Sequence, residues 1–226
     1  MTDTATCKSC GQCFDYERLE GAPVGLAPGI CAGCAEKTST TEAVEERRAA
    51  LIERNVPPRY ADEGFETFNA TTLTQRVALE ATRDHARQGV FLLGPPGCGK
   101  THLATAAIMA GPAGSLFVST TDLLDDIRAG FDGDGHGLFE RAKRSPLLAL
   151  DDLGSEAIKD WVRDRLYTLL NWRWNQGLPV IATTNCRPKM ISERIGEAGV
   201  SRLSGLCQRR VEMQGPDARR KLQVAS

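Results

Sequence analysis

Eight consecutive residues near the middle of the chain carry its clearest chemistry: Gly94, Pro95, Pro96, Gly97, Cys98, Gly99, Lys100 and Thr101. They read G-x-x-x-x-G-K-T, the spacing of a loop that wraps its backbone around the β- and γ-phosphates of a nucleotide. The glycines let backbone amides approach the anion, and the helix that follows adds its unpaired N-terminal N–H groups. Lys100 brings a point charge, and Thr101 a hydroxyl ligand for Mg2+. A second set ends the apolar run LLALDD at Asp151 and Asp152. Asp151 is placed to hold Mg2+, directly or through water, and Asp152 to orient or deprotonate an attacking water. A third candidate, Asn185, ends the run ATTN, where a polar tip beside the phosphate loop can touch the γ-phosphate or align that water. These residues predict ATP as the ligand.

Metal chemistry of another kind is suggested at the N-terminus. Cys7 and Cys10 form one C-x-x-C pair, and Cys31 and Cys34 form another about twenty residues later. Four thiolates close a tetrahedral Zn2+ site and staple a segment too short to hold a core alone. A closed four-thiolate shell leaves no open position, so this zinc is structural. Cys13 extends the first pair and is read as a spectator. His85, His102 and His136 show no ligand spacing and are given no role.

The elements that must position these groups divide the chain in three. Residues 1–36 are the expected zinc ribbon. Residues 37–55 are a charged helical linker, stopped by Pro57 and Pro58. From residue 56 to 226, short apolar runs alternate with helical stretches, the pattern of a parallel α/β sheet. Five strands are predicted at Val90–Leu93, Leu116–Val118, Leu147–Leu150, Pro179–Thr183 and Arg209–Met213, the last alternating as an edge strand does. Helices are predicted at Thr101–Ala110, Asp122–Ala129 and Ser155–Asn175. Residues 131–137 (FDGDGHG) are expected to be a flexible loop. Trp161, Trp172 and Trp174 are read as core or interface residues rather than platforms for DNA bases, and Phe65 and Phe68 as candidate walls of an adenine pocket.

The phosphate loop, the acidic strand, Asn185 and the five strands in this order resemble the AAA+ ATPases, an additional-strand class of P-loop protein. Asn185 matches the position called sensor 1. NVPPRYADEGFETF (55–68), DDLGSE, WRWNQGLPVIATTN and ISERI…SRL narrow the resemblance to the DnaC/IstB family of small AAA+ ATPases, over roughly residues 55–226. In that family one branch loads a hexameric DnaB-type replicative helicase onto DNA, and the other assists a transposase. The resemblance implies that Arg202 is an arginine finger completing the site of the next subunit, with Arg194 a weaker candidate. It implies that Arg219 is the cis-acting sensor 2 arginine. The chain departs from many AAA+ proteins in having Asp152 where they carry glutamate. Only about a dozen residues follow the last strand, so a reduced lid is expected, with closure left to a neighbouring subunit or to residues 57–68.

The 28 basic and 29 acidic side chains among 226 residues exclude a wholesale polycation. No apolar run is long enough to span a bilayer, and the N-terminus lacks the basic and apolar regions of a secretory signal, so a cytoplasmic protein without a membrane partner is expected. The leading expectation is an ATPase switch that recruits a hexameric replicative helicase and delivers it to single-stranded DNA, self-associating through the ATP site. The alternatives are an IstB-like transposition helper and a zinc-stapled adaptor that holds ATP with negligible turnover. The ribbon favours the loader, because a transposition helper is expected to carry a helical N-terminal module.

Overall fold

A computed structural model describes residues 2–6, 12–17, 32–84, 89–131, 137–155 and 159–218. They fall into two compact units, residues 1–49 and 50–226. In the first, β1 (Thr2–Thr6) pairs antiparallel with β2 (Cys13–Glu17), with Thr6 opposite Cys13. Helix α1 (Ala32–Glu53) follows, and its final turn belongs to the second unit. Cys7, Cys10 and Cys31 lie outside the described residues, and Cys34 falls within α1. The helix thus starts inside the stretch expected to be ribbon, and no proline interrupts it between Ala32 and Glu53. Its C-terminal end is anchored by packing: Leu51 and Val56 are buried in the second unit's core.

The second unit is a five-stranded parallel sheet of β3 (Val90–Leu93), β4 (Leu116–Ser119), β5 (Leu148–Asp151), β6 (Val180–Thr184) and β7 (Arg209–Glu212). Its spatial order is β4-β5-β6-β3-β7. All five predicted strands form, within a residue or so of their expected ends. The strand that separates the phosphate-loop strand from the acidic strand in space is β6, which carries Asn185 at its tip. That insertion brings Asn185 between the two halves of the site.

Alternate residues of each strand point to opposite faces. Phe91 and Leu93 join Leu148, Leu150, Val180 and Ala182 under helices α4 (Thr120–Phe131), α5 (Leu138–Arg144), α6 (Asp160–Gln176) and α7 (Pro188–Leu206). Val90 and Leu92 face α2 (Leu73–Arg83) and α3 (Lys100–Ala110), with Ala78, Ala81 and Leu103. Strands covered on both faces must be apolar throughout, which is why VFLL is fully buried while edge strand β7 buries only Val211. Helices α2, α5 and α7 are not among those the sequence predicts. α2 is started by a capping box in which the Thr72 hydroxyl accepts from the Gln75 N–H. α7 is two helical pieces joined at Gly196, whose φ of 75° breaks the regular turn.

Trp161 packs against the core beneath the Arg128 guanidinium, 5.4 Å from its ring centre. Trp172 and Trp174 are partly exposed. Lys143 Nζ stands 4.5 Å from the Trp172 ring centre.

Candidate functional site

The phosphate loop leaves β3 at Leu93 and enters α3 at Lys100. Its bends require glycine at Gly97 and Gly99, among others. Gly97 has φ 79°, and a Cβ there would collide with Asp217; Gly99 has φ 99°, and a Cβ would sit 2.5 Å from the Phe68 ring. The loop is also covered from the C-terminal side, where the Ala218 N–H donates to the Gly97 carbonyl at 3.1 Å. Cys98 is buried beneath it.

Lys100 Nζ donates to the Gly94 and Pro95 carbonyls and to Asn185 Oδ1, each at 2.8 Å. Burial pushes its pKa below the usual lysine value, opposed by Cys98, Asp151 and Asp152. Asn185 uses its other end as a donor: Nδ2 reaches Asp152 Oδ1 at 2.6 Å. One amide therefore joins Lys100 to Asp152.

Asp151 ends β5 with its carboxylate accepting from Thr101 Oγ1 at 3.1 and 3.2 Å and from Thr183 Oγ1 at 2.6 Å. Burial raises its pKa, with the Thr183 and Thr101 hydroxyls working the other way. The chain then turns sharply: Asp152 has a φ of 57°, and its N–H donates to Thr183 Oγ1 at 2.9 Å. A left-handed backbone at a non-glycine residue costs on the order of 1 kcal/mol, and here it turns Asp152 out of strand register toward Asn185. The Thr101 hydroxyl and the Asp151 carboxylate are hard oxygen donors brought face to face, which fits Mg2+.

These groups line a cavity of about 320 Å³, together with Pro96, Gly97, Gly99, Thr183 and Ala218. Its remaining wall is Arg59, Tyr60, Glu63 and His102. His102, expected to have no role, ties that wall down: its Nε2–H donates to the Gly64 carbonyl at 2.8 Å, and Nδ1 lies 3.5 Å from Glu63 Oε2. Arg59, Tyr60 and Glu63 lie within the NVPPRYADEGFETF run that carries the family resemblance, but no spacing singles them out as site residues, whereas Thr183 lies within the ATTN run that ends at Asn185.

Of the expected site residues, Pro96, Gly97, Gly99, Lys100, Thr101, Asp151, Asp152 and Asn185 come together around this one cavity. Gly94 and Pro95 serve it through their carbonyls. Arg202 lies outside the cavity's described lining, on α7, where its Nε donates to Asn171 Oδ1 at 2.9 Å. Arg219 lies outside the described residues, as do His85 and His136. Phe65 and Phe68, candidate adenine walls, are partly buried and pack on the core cluster that holds Cys98 and Leu103. Among the described residues no cluster of metal-ligating side chains forms a further site.

Residues 50–202 match the family described as IstB-like ATP binding protein. The chain is 36% identical over 107 residues to a putative ATP-binding protein in an insertion sequence, Rv3427c of Mycobacterium tuberculosis (strain ATCC 25618 / H37Rv), covering 46% of this chain and 43% of that protein. It is 29% identical over 106 residues to the replicative helicase loader DnaI of Bacillus subtilis (strain 168), covering 45% of this chain and 34% of that one. Its fold is similar to the crystal structure of the DnaC helicase loader, with 27% identity, a TM-score of 0.62, and coverage of 70% of this chain and 100% of that one. The five-stranded order, the phosphate loop and the acidic strand end are those of the AAA+ P-loop fold. With two thirds of its length matched, the chain belongs to the family of IstB-like ATP-binding proteins.

Proposed function

We propose that this protein is an ATP-driven helicase loader, which recruits a hexameric DnaB-type replicative helicase and delivers it to single-stranded DNA. The observation that carries the ATPase half is the chain Lys100–Asn185–Asp152. A triphosphate entering the cavity draws Lys100 Nζ from the Gly94 and Pro95 carbonyls to its own oxygens. Asn185 Oδ1 then loses its partner, and the amide is released to meet the γ-phosphate. Asp152 is thereby freed to orient or deprotonate water. Thr101 and Asp151 would hold Mg2+, which supplies charge neutralisation at the β- and γ-phosphates. Turnover by this arrangement is slow in an isolated subunit, since aspartate is one methylene shorter than the glutamate usual in AAA+ proteins. Arg202, on α7 and outside its own cavity, is proposed to reach the γ-phosphate bound by a neighbouring subunit, and Arg219 to act in cis.

The likeness to DnaC, which takes in all of that chain, supports the loader reading. The cysteine pairs support a zinc-stapled N-terminal module that grips the helicase. Cys7 and Cys10 fall in the sequence between the paired strands β1 and β2, and Cys34 within α1. The second reading, an ATPase helper of a transposase, is favoured by the 36% identity to an insertion-sequence protein. Affinity capture from host lysate with Mg·ATP present separates them. Retention of a hexameric replicative helicase supports the loader, and retention of a transposase in its place overturns it. The third reading, an adaptor holding ATP without turnover, is tested by hydrolysis with and without single-stranded DNA.

A further inference from the structure

The segment from Pro57 to Phe68 is a strap laid along the start of α3, and it is pinned at both ends. Val56 is buried in the core, and its N–H donates to the Leu51 carbonyl at 2.9 Å. Two prolines then set φ for the 3-10 turn Pro58–Tyr60, where the Tyr60 N–H donates to Pro57 and the Ala61 N–H to Pro58. At the far end the Gly64 carbonyl accepts from His102, the Gly64 N–H donates to Thr67 Oγ1 at 2.9 Å, and the Phe68 ring lies over Gly99. A strap held this way presents its middle residues to the cavity in a fixed position.

Two of those middle residues stand at the metal end of the cavity. Tyr60 shares the cavity lining with Thr101 and Asp151, the pair of oxygen donors that fits Mg2+, so it stands where the β- and γ-phosphates and their Mg2+ belong. The Arg59 guanidinium stacks on that same ring, 4.6 Å from its centre. Stacking occupies the flat face of a guanidinium and leaves its edge N–H donors for an oxyanion. Charge points the same way. The described lining holds three carboxylates, Glu63, Asp151 and Asp152, but only two permanent cations, Lys100 and Arg59. Lys100 alone cannot offset a triphosphate in such company, even with Mg2+ shared between Thr101 and Asp151.

We propose that Arg59 is a triphosphate-reading residue acting in cis: it contacts the γ-phosphate of the ATP bound in its own subunit, so that the strap discriminates ATP from ADP. The proposal rests on the reading of the cavity as an ATP site. Arg59 is exposed, so its replacement leaves the fold intact and the effect falls on binding.

The test is titration of the full-length protein with Mg·ATP and with Mg·ADP, by calorimetry, for wild type, Arg59→Ala, Arg59→Gln and Arg59→Lys. Losing one charge-assisted contact should weaken ATP binding about tenfold in the Ala and Gln variants. ADP binding should change by less than about twofold, and lysine should recover part of the loss. An ATP-to-ADP affinity ratio equal to wild type in both Arg59→Ala and Arg59→Gln overturns the proposal, whether both affinities hold or both fall. Wild type that fails to bind ATP overturns the ATP-site reading itself, so the two failures are distinguishable. Melting curves without nucleotide should coincide for all four proteins, and a drop shared by Arg59→Lys would make Arg59 a structural residue.

Discussion

Asn185 is the residue on which the nucleotide site turns, because its two amide ends are committed in opposite senses. Oδ1 accepts from Lys100 and Nδ2 donates to Asp152, so on the proposed reading the carboxylate that acts on water is held by a group that answers to the phosphate. In Asp152→Asn the side chain keeps its size but loses the charge that draws a proton from water. Because Thr101, Asp151 and Lys100 are untouched, ATP affinity should stay within about threefold of wild type. Hydrolysis should fall at least about a hundredfold, the scale on which a positioned general base acts. Single-turnover hydrolysis of prebound ATP checks this, and undiminished turnover would transfer the role to another acid.

Whole elements are held by arginines whose charge is spent on carbonyls rather than carboxylates. Arg173, on α6, is fully buried, and burial lowers its pKa to about 9, still protonated at neutral pH. Its Nη1 donates to the Ala142, Lys143 and Ser145 carbonyls at the end of α5, and Nη2 to the Pro179 carbonyl that leads into β6. These are the carbonyls that a helix end leaves without partners, and the helix dipole favours a cation there. Arg173→Met fills the space but strands several buried acceptors. It should cost about 3 kcal/mol, read as a lower urea midpoint at unchanged slope. Arg173→Lys, with one ammonium in place of a fork, should recover only part of it. Arg54 works the same way just after α1, donating to the Ile108, Met109 and Gly111 carbonyls that close α3. The helix whose first turn forms the phosphate site is thus clamped at its other end by the residue that follows α1.

At the scale of the molecule, the cavity's described lining takes no arginine from α7, and Arg202 is held by Asn171 of α6. If subunits align head to tail, each Arg202 supplies its neighbour. Turnover per subunit should then rise with protein concentration and with single-stranded DNA, and Arg202→Ala should abolish the rise while ATP affinity stays near wild type. A finger of this kind contributes several orders of magnitude in related phosphoryl-transfer sites. Mixing Arg202→Ala with Lys100→Ala subunits should restore part of the activity, since each carries what the other lacks. A mixture that stays inactive where wild type assembles would make the enzyme a monomeric one. The N-terminal unit is tested separately: serine at Cys31 and Cys34 should release zinc, measured by a chelator dye, and abolish helicase capture. Nucleotide binding should persist, because metal coordination supplies most of the folding energy of so short a segment.

The nucleotide site is legible in the sequence because its demands are local. A loop that must bend at Gly97 and Gly99 and then start a helix leaves a contiguous signature, and strands buried on both faces leave uninterrupted apolar runs such as VFLL and LLAL. The sheet's five strands, the phosphate loop, Asp151, Asp152 and Asn185 are readable for that reason. Helices α2, α5 and α7 are not, because they are short, charged or broken at Gly196, and packing on the sheet decides them more than periodicity does. The wall made by Arg59, Tyr60, Glu63 and His102 leaves no spacing that marks it as part of the site, although Arg59, Tyr60 and Glu63 belong to a run that carries the family resemblance. Residues 59–63 and 102 lie far apart in the chain, and the hydrogen bond from His102 to the Gly64 carbonyl brings them together. That this chain binds a nucleotide through a parallel α/β sheet therefore follows from its residues alone, since those requirements fall on neighbours in the chain. That β6 inserts between β3 and β5, so that Asn185 joins Lys100 to Asp152, follows only from the folded molecule, because strand order is set by how distant segments share one core.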